Sequence, residues 1–303
     1  MPISTGNHPK ALWPGVYKNF GMEYEEHPKE WMSLFEVNSS RKAYEQVVLQ
    51  SGFGLASVKA QGDSVSYDTT KQGYTTTLTH VTYALGYVVT MEEIDDNLYA
   101  DVSKGRSSAL AMSMNTTINT VAANVYNRAT TAGYTGGDGI VLLSASHPTR
   151  AGNQSNILNP AADLSESALE DMLIQIAGAQ NDRGLQIALM PDKLLIPRQE
   201  VYNAARILKS VLQNDTANNA VNALKAMNAL PGGFEVNHYF TDTDQWFVRT
   251  RLPSKSGMLM FNRKPVAFSQ DNDFDTENAK AKAMTRFSVG WGDWRAVYGS
   301  PGA

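Results

Sequence analysis

The sequence predicts an α+β protein in which a long β-hairpin feeds straight into a long helix. Residues 55–89 hold two runs of strand composition with a period of two, split by a turn-rich segment at 68–73. Thr90–Glu93 then opens a helical pattern that continues to Ala132, with Gly133 as its stop. From about residue 160 helical and strand patterns mix, and Ala283–Tyr298 alternates strongly through Phe287, Val289 and Trp291.

Composition allows a real core. The chain has 303 residues, 42% hydrophobic and 18% charged, enough for one large or two medium units at roughly 100–200 residues each. Its 26 basic and 30 acidic residues leave a formal net charge of −4, which gives no general electrostatic grip on nucleic acid. It has no cysteine, so disulfides, thiol catalysis and thiolate metal sites are excluded. The start, MPISTGNHPKALWPG, shows no basic segment followed by an apolar run, and no signal peptide is expected. No stretch approaches the about 18 apolar residues of a membrane span.

In chain order, residues 1–45 are punctuated by Pro9, Pro14, Gly15, Gly21 and Pro28, which argue against a long regular element. Trp13, Tyr17, Phe20, Trp31, Leu34 and Phe35 nevertheless give this arm apolar surface to lay on its own body or on a neighbour. In the first hairpin run, Leu55, Ser57, Lys59 and Gln61 alternate with Ala56, Val58 and Ala60. In the second, Val81, Tyr83, Leu85, Tyr87 and Val89 alternate with Thr76, Leu78, His80 and Thr82 along one continuous strand. So polar a hairpin is marginal alone and is expected to project and find partners elsewhere. The helix is expected to be interrupted at Ser103–Arg106, around Gly105.

The turn GYTGGDG (133–139) is expected to be a flexible reversal, followed by a short strand at Ile140–Leu143. A helix is expected over Ala168–Ala177, strands at Leu185–Met190 and Lys193–Ile196, and a helix marked by Val201, Ala205, Leu208 and Leu212. The Asn-rich stretch 213–232 reads as a mobile loop with a short helix. Strands return at Phe234–Phe240, Gln245–Thr250, Met258–Phe261 and Ala267–Ser269.

No motif carries chemistry. His8, His27, His80, His147 and His238 are scattered and lack the H-E-x-x-H spacing of a zinc helix. Ser144, His147 and Asp138 are the residue types of a hydrolase triad, but no G-x-S-x-G elbow accompanies them. Asp271, Asp273 and Asp275 start like a calcium loop, yet Thr276 stands where Gly is needed and Lys282 where Glu is needed. Trp291 and Trp294 read as core or interface. No catalytic residue, metal ligand or cofactor is assigned, and the chain is expected not to be an enzyme.

The order of elements resembles the major capsid proteins of tailed bacteriophages, with their Hong Kong 97-type fold. Local stretches are similar to the Mu-like major head subunit group: GYTGGDG with SASHP, MPDKLLIPRQEVYNAARIL (190–208), and the ending NRKPVAFSQDNDFDTENAKAKAMTRFSVGWGDWRAVYGS. The resemblance implies an N-arm at 1–45, an extended hairpin loop at 46–89 that reaches over a neighbouring subunit, and a peripheral domain with a spine helix at 90–151. It also implies an axial domain at 152–265 and return strands of the peripheral domain at 266–303. Inter-subunit contacts are then expected at Lys59, Asp63, Tyr67, Lys71 and Tyr74 of the hairpin, at Trp13 and Tyr17 of the arm, and at Asn214 and Asn218. Lys59 and Lys71 have no recognisable cross-linking partner, so no cross-link is assigned.

The implied function is a structural shell subunit that forms hexamers and pentamers around packaged double-stranded DNA, without sequence-specific binding and without a membrane. The implied setting is a virion capsid assembled in the host bacterial cytoplasm, with a separate scaffolding protein, a portal and a decoration protein as partners. The alternatives are an encapsulin-like nanocompartment and an α/β hydrolase-like enzyme.

Overall fold

A computed structural model describes residues 13–90, 92–93, 99–213, 220–252, 256–273 and 278–303. Its architecture is α+β, with two four-stranded sheets. The first sheet has the order β1 (Glu36–Ser39), β10 (Met258–Asn272), β11 (Ala279–Trp291), β4 (Val81–Val89). β1 runs parallel to β10, and the other neighbours are antiparallel. The second has the order β12 (Val297–Ser300), β9 (Trp246–Arg251), β7 (Met190–Pro197), β8 (Phe234–Asn237). Two ribbons complete the strands, β2 (Tyr44–Gln50) with β3 (Gln72–Thr79) and β5 (His147–Thr149) with β6 (Gly152–Gln154).

The arm contains a helix despite its punctuation: α1 spans Trp13–Glu26. Pro14 falls in the first turn, where its missing N–H costs nothing, and burial of Val16 and Phe20 offsets the two internal glycines. Phe20 stacks on Phe268 at 4.7 Å between ring centroids. A short helix, α2 (Trp31–Leu34), follows and buries Trp31 and Leu34. This part of the arm therefore lies on its own body.

The long helix, α3, spans Tyr99–Asn127 as one element of 29 residues, about 44 Å at about 1.5 Å per residue. Gly105 does not divide it, and no Cβ placed there would meet an atom within 4 Å. Upstream, Glu93 N–H donates to Thr90 Oγ1 at 3.3 Å, half of the expected capping box. The Glu93 carboxylate pairs instead with Arg106 at 2.7 Å. Asparagines on α3 hold the arm: Asn115 and Asn119 Nδ2 donate to Pro28 O at 3.0 and 3.2 Å, and Asn119 Oδ1 accepts Trp31 N–H at 3.1 Å.

α4 (Glu166–Ala177), capped by Ser165, and α5 (Val201–Lys209) pack the core of the second sheet around Leu169, Met172, Ile176, Leu194 and Trp246. A four-residue helix, α6 (Ala223–Ala226), falls in the expected loop. The strand expected at 185–190 is absent, and one strand, Met190–Pro197, takes its place. Ala188 at φ 45° breaks the extended path before it. Ile140–Leu143 is an irregular segment with a single bridge from Val141 to Thr135. The two C-terminal runs expected at 258–261 and 267–269 merge into β10, with register shifts around Lys264. β12 leaves the first sheet and joins the second.

Candidate assembly site

The β2–β3 ribbon packs its root on the body and carries a loop, 51–71, whose apolar side chains at Leu55, Val58 and Tyr67 are exposed. The hairpin differs from the sequence expectation in three ways. Leu55–Gln61 is not a strand, and the partner of β3 is β2. The reversal lies near Ala60–Asp63, where Asp63 N–H donates to Ala60 O at 3.2 Å, and not at 68–73. The long second strand breaks at His80. Thr76, Leu78 and His80 are buried on the even side of β3, whereas Val89 is buried on the odd side of β4, with Tyr83 and Tyr87 half-buried there. A switch of face needs a change of register, and the corner at His80 supplies it.

His80 is buried, and its ring spans two elements. Ser40 Oγ donates to Glu45 Oε1 at 2.7 Å, so His80 Nε2 donates to Ser40 Oγ at 3.0 Å. Nδ1 is left to accept from Ser288 Oγ at 3.0 Å. Burial first, then the positive charge of Arg286, holds its pKa below the ordinary 6.5.

Glycines seat the ribbon's root. A Cβ on Gly290 would stand 2.5 Å from Leu78 Cδ2, and one on Gly292 2.5 Å from Val47 Cγ1. A Cβ on Gly137 would stand 2.9 Å from the Thr76 backbone nitrogen. Gly136 and Gly137 are therefore packed against Trp291 and Thr76, whereas Gly133 and Gly139 at the ends of the turn border open space. Behind it, a cleft of about 460 Å³ lies between β3, α3 and the end of β11.

Beyond the root, residues 51–71 form no strand. Ser57 and Ser66 hydroxyls meet at 2.8 Å across the two legs. Leu55 is 84% exposed, Val58 101% and Tyr67 94%. Among the described residues, one body residue bonds this loop through its side chain: Arg183 pairs with Asp68 and donates to Thr69 O at 2.5 Å. Asp68 also accepts Gly54 N–H at 2.8 Å. The Gly54 amide, then Arg183, hold its carboxyl down to about 2.

The expected contact residues fall into distinct settings. Lys59, Asp63 and Tyr67 are exposed on the loop, and Lys71 is exposed where the loop meets the root. Tyr74 is half-buried in the root, where burial and the nearby Asp293 raise its pKa. Tyr17 is 61% exposed on α1, 6.1 Å from the Phe268 ring. Trp13 opens α1. Asn214 and Asn218 lie outside the described residues. Arg183 and His80 carry no sequence motif; Gly137, Gly290 and Gly292 lie in the quoted GYTGGDG and C-terminal stretches, but nothing local shows what packs on them.

The hydrolase set does not assemble. His147 is fully buried and stacks on Trp294 at 4.3 Å between centroids. Its Nδ1 bonds Asp138 Oδ2 at 2.7 Å and its Nε2 bonds Asn156 Oδ1 at 3.1 Å. Ser144 Oγ accepts Ser146 N–H at 3.2 Å instead of meeting the ring, so this imidazole has no nitrogen free to take a serine proton. Among the described residues no group of three His, Asp or Glu could hold a metal. Asp273 pairs with Lys280, and Asp275 lies outside the described residues. No helix among the described residues is long and apolar enough to cross a membrane.

A family model described as phage capsid protein matches residues 73–300. Among solved structures, the virus-like particle from Pyrococcus furiosus is similar at a TM-score of 0.55 and 10% identity, over 95% of this chain and 98% of that one. The capsid of Myoviridae phage XM1 is similar at 0.53 and 13% identity, over 90% of each chain. A chain of Mycobacterium phage Adephagia is similar at 0.52 and 13% identity, over 96% of this chain and 92% of that one. No curated protein matches the chain. At such identities the structural likeness concerns the fold.

Proposed function

The chain belongs to the phage capsid protein family, and from this premise we propose that its copies join as hexamers and pentamers into an icosahedral shell around double-stranded DNA. Its role is structural, that of a major capsid protein. The observation that carries the assembly reading is the ribbon: a root packed on glycines and a loop of about twenty residues whose apolar side chains face water. Such surface is unfavourable in a free monomer and useful in a lattice of many modest contacts.

In this reading the first sheet with α3 is the peripheral unit and the second sheet the axial one. Lys59, Asp63 and Tyr67 then contact a neighbour. Scaffolding, portal and decoration proteins are separate chains, the shell is assembled in the host cytoplasm, and DNA is enclosed without sequence-specific binding. The Mu-like subgroup rests on the C-terminal stretch quoted above. A nanocompartment for protein cargo is the weaker reading, because the matching family is that of phage capsids. Electron microscopy of the purified full chain tests the proposal. Closed shells, tubes or rings are expected, and a monodisperse monomer under every assembly condition would overturn it.

A further inference from the structure

We propose that the open edge of β11 at Val289–Trp291 is a seat for an extended, carboxylate-bearing segment of a different protein, which adds a strand to the first sheet beneath the last turns of α3. The inference goes beyond the shell reading and does not depend on it, because the seat is complete within one chain.

The sheet lacks a strand at this point. β4 covers one edge of β11 from Ala279 to Phe287, where Val81 is the last partner. β10 covers the other edge as far as Trp291. The chain ahead of β4 does not continue the ladder. It turns away at His80 and packs on the face of the sheet, with Leu78 Cδ2 2.5 Å from where a Cβ on Gly290 would stand. Gly292 N–H donates to Gly257 O at 3.0 Å, on the β10 side. Peptide groups of an antiparallel strand alternate in direction, so Val289 and Trp291 turn their N–H and C=O to the uncovered edge. Among the described residues no strand or isolated bridge meets them there.

The space beside this edge is the cleft of about 460 Å³, a size within the about 300–1,000 Å³ of ligand sites. Val121 and Val125 line it from α3, Thr77 and Leu78 from β3, and Tyr83 and Tyr134 complete its wall. Arg128 gives it a charge. This residue is exposed, and its guanidinium lies 4.4 Å from the centroid of the Tyr134 ring. Stacking of this kind holds the planar fork in place before a ligand arrives. Among the described residues no carboxylate pairs with Arg128.

These features specify the occupant. The free peptide groups of Val289 and Trp291 require an extended main chain, the mode of β-strand addition. The valines and tyrosines require apolar side chains along it. Arg128 requires a carboxylate, which it can bind through two parallel N–H groups. A phosphate backbone would meet a single cation, since no other lysine or arginine lines the cleft among the described residues. The described strands of this chain already have their places in sheets, so the added strand comes from another protein.

Calorimetric titration of the purified full chain, before assembly, tests the seat. The probe is the capped peptide acetyl-Thr-Val-Thr-Val-Asp-amide. One-to-one, saturable binding is expected, and none with the same peptide N-methylated at every amide. Replacing the aspartate of the peptide by asparagine should weaken binding about tenfold. In Arg128→Gln, an exposed position where folding is not at stake, the two peptides should bind alike. Hydrogen exchange at the Val289 and Trp291 amides should be fast in the free chain and slowed by the peptide. Absence of saturable binding, equal binding of the N-methylated peptide, or amides already protected in the free chain would each overturn the proposal. Protection that arises on shell assembly without peptide would give the edge to a second copy and overturn it too. A chain that binds the peptide but never assembles would bring down the shell reading alone.

Discussion

The root and the tip of the same hairpin are built by opposite rules. At the root, Thr76, Leu78 and His80 are buried, β2 and β3 pair in one register from Tyr44 to Val48, and glycines let the body close on the strands. At the tip, Val58 and Tyr67 lie almost fully in water, and one arginine holds the legs to the body. The difference shows where the hairpin can move. Motion about the base would have to break close packing, whereas motion of residues 51–71 breaks little more than the Arg183 contacts. If the proposed shell joins unequal rings, the adaptability it requires belongs to the tip, and the root fixes the direction in which the tip is presented.

The largest effect that can break this comparison is removal of the tip. Replacing residues 55–66 with a short Gly-Ser linker should abolish closed shells in electron micrographs while leaving the melting temperature of the chain nearly unchanged. A deletion of 57–80 should instead lower the melting temperature sharply, since it takes β3 and His80 from the interior. Equal melting of the two variants would show that the root is not part of the core.

Next come the root glycines. Gly137→Ala and Gly292→Ala each put a methyl within 3 Å of backbone, and overpacking of this kind costs about 1–3 kcal/mol. Chemical denaturation should register that loss. Gly105→Ala on α3, where no atom lies within 4 Å, should stabilise by up to about 1 kcal/mol from helix propensity. A root substitution as harmless as Gly105→Ala would mean that the seat is loose.

The His80 corner should give a smaller, pH-dependent effect. Its folded pKa lies below the ordinary 6.5 because burial and Arg286 disfavour the cation. The unfolded chain then binds the extra proton more readily, so stability is lost as pH falls below about 6.5, until the folded group also titrates. Protonation of Nδ1 also removes the acceptor that Ser288 uses. Thermal melts from pH 7 to pH 5 should show this decline, and His80→Gln should flatten it.

The legible parts of the fold were those in which side-chain period and burial agree. The helical spacing of Leu110, Met114, Ile118, Val121, Val125 and Ala129 predicts one inward stripe, and four of these are buried with Val121 and Val125 half-buried; the alternation expected over Ala283–Tyr298 holds as far as Phe287 and gives way after Trp291 to a short 3-10 turn at Trp294–Ala296. Composition is a poorer guide to conformation. Pro14 and Gly15 suggested a broken arm, but helix starts accept proline, and Phe20 pays for the rest through its contact with Phe268. GYTGGDG suggested looseness, but glycine also permits close approach, and only the tertiary structure shows Thr76 against Gly137. The candidate site was legible as a projecting hairpin and illegible in its anchors. Arg183 meets Asp68 across 115 residues of chain, and no local pattern marks such a pair.

The smallest expected effect concerns that anchor. Arg183→Ala removes the ion pair to Asp68 and the bond to Thr69 O. Exposed pairs contribute little to folding, so the melting temperature should not change measurably. The legs, however, lose their hold on the body, and limited proteolysis should cut within 51–71 several-fold faster. Acid should reproduce the effect in the wild-type chain. The Asp68 carboxyl is held down to about 2, by the Gly54 amide first and Arg183 next, so the tether is complete above about 4 and weakens only as pH falls toward about 2. An acid-active protease should therefore find the loop no more open at pH 4 than at pH 7, and clearly more open at pH 2. Loosening already at pH 5, in a His80→Gln background, would mean that another group holds the loop and that tip and root are not mechanically separate.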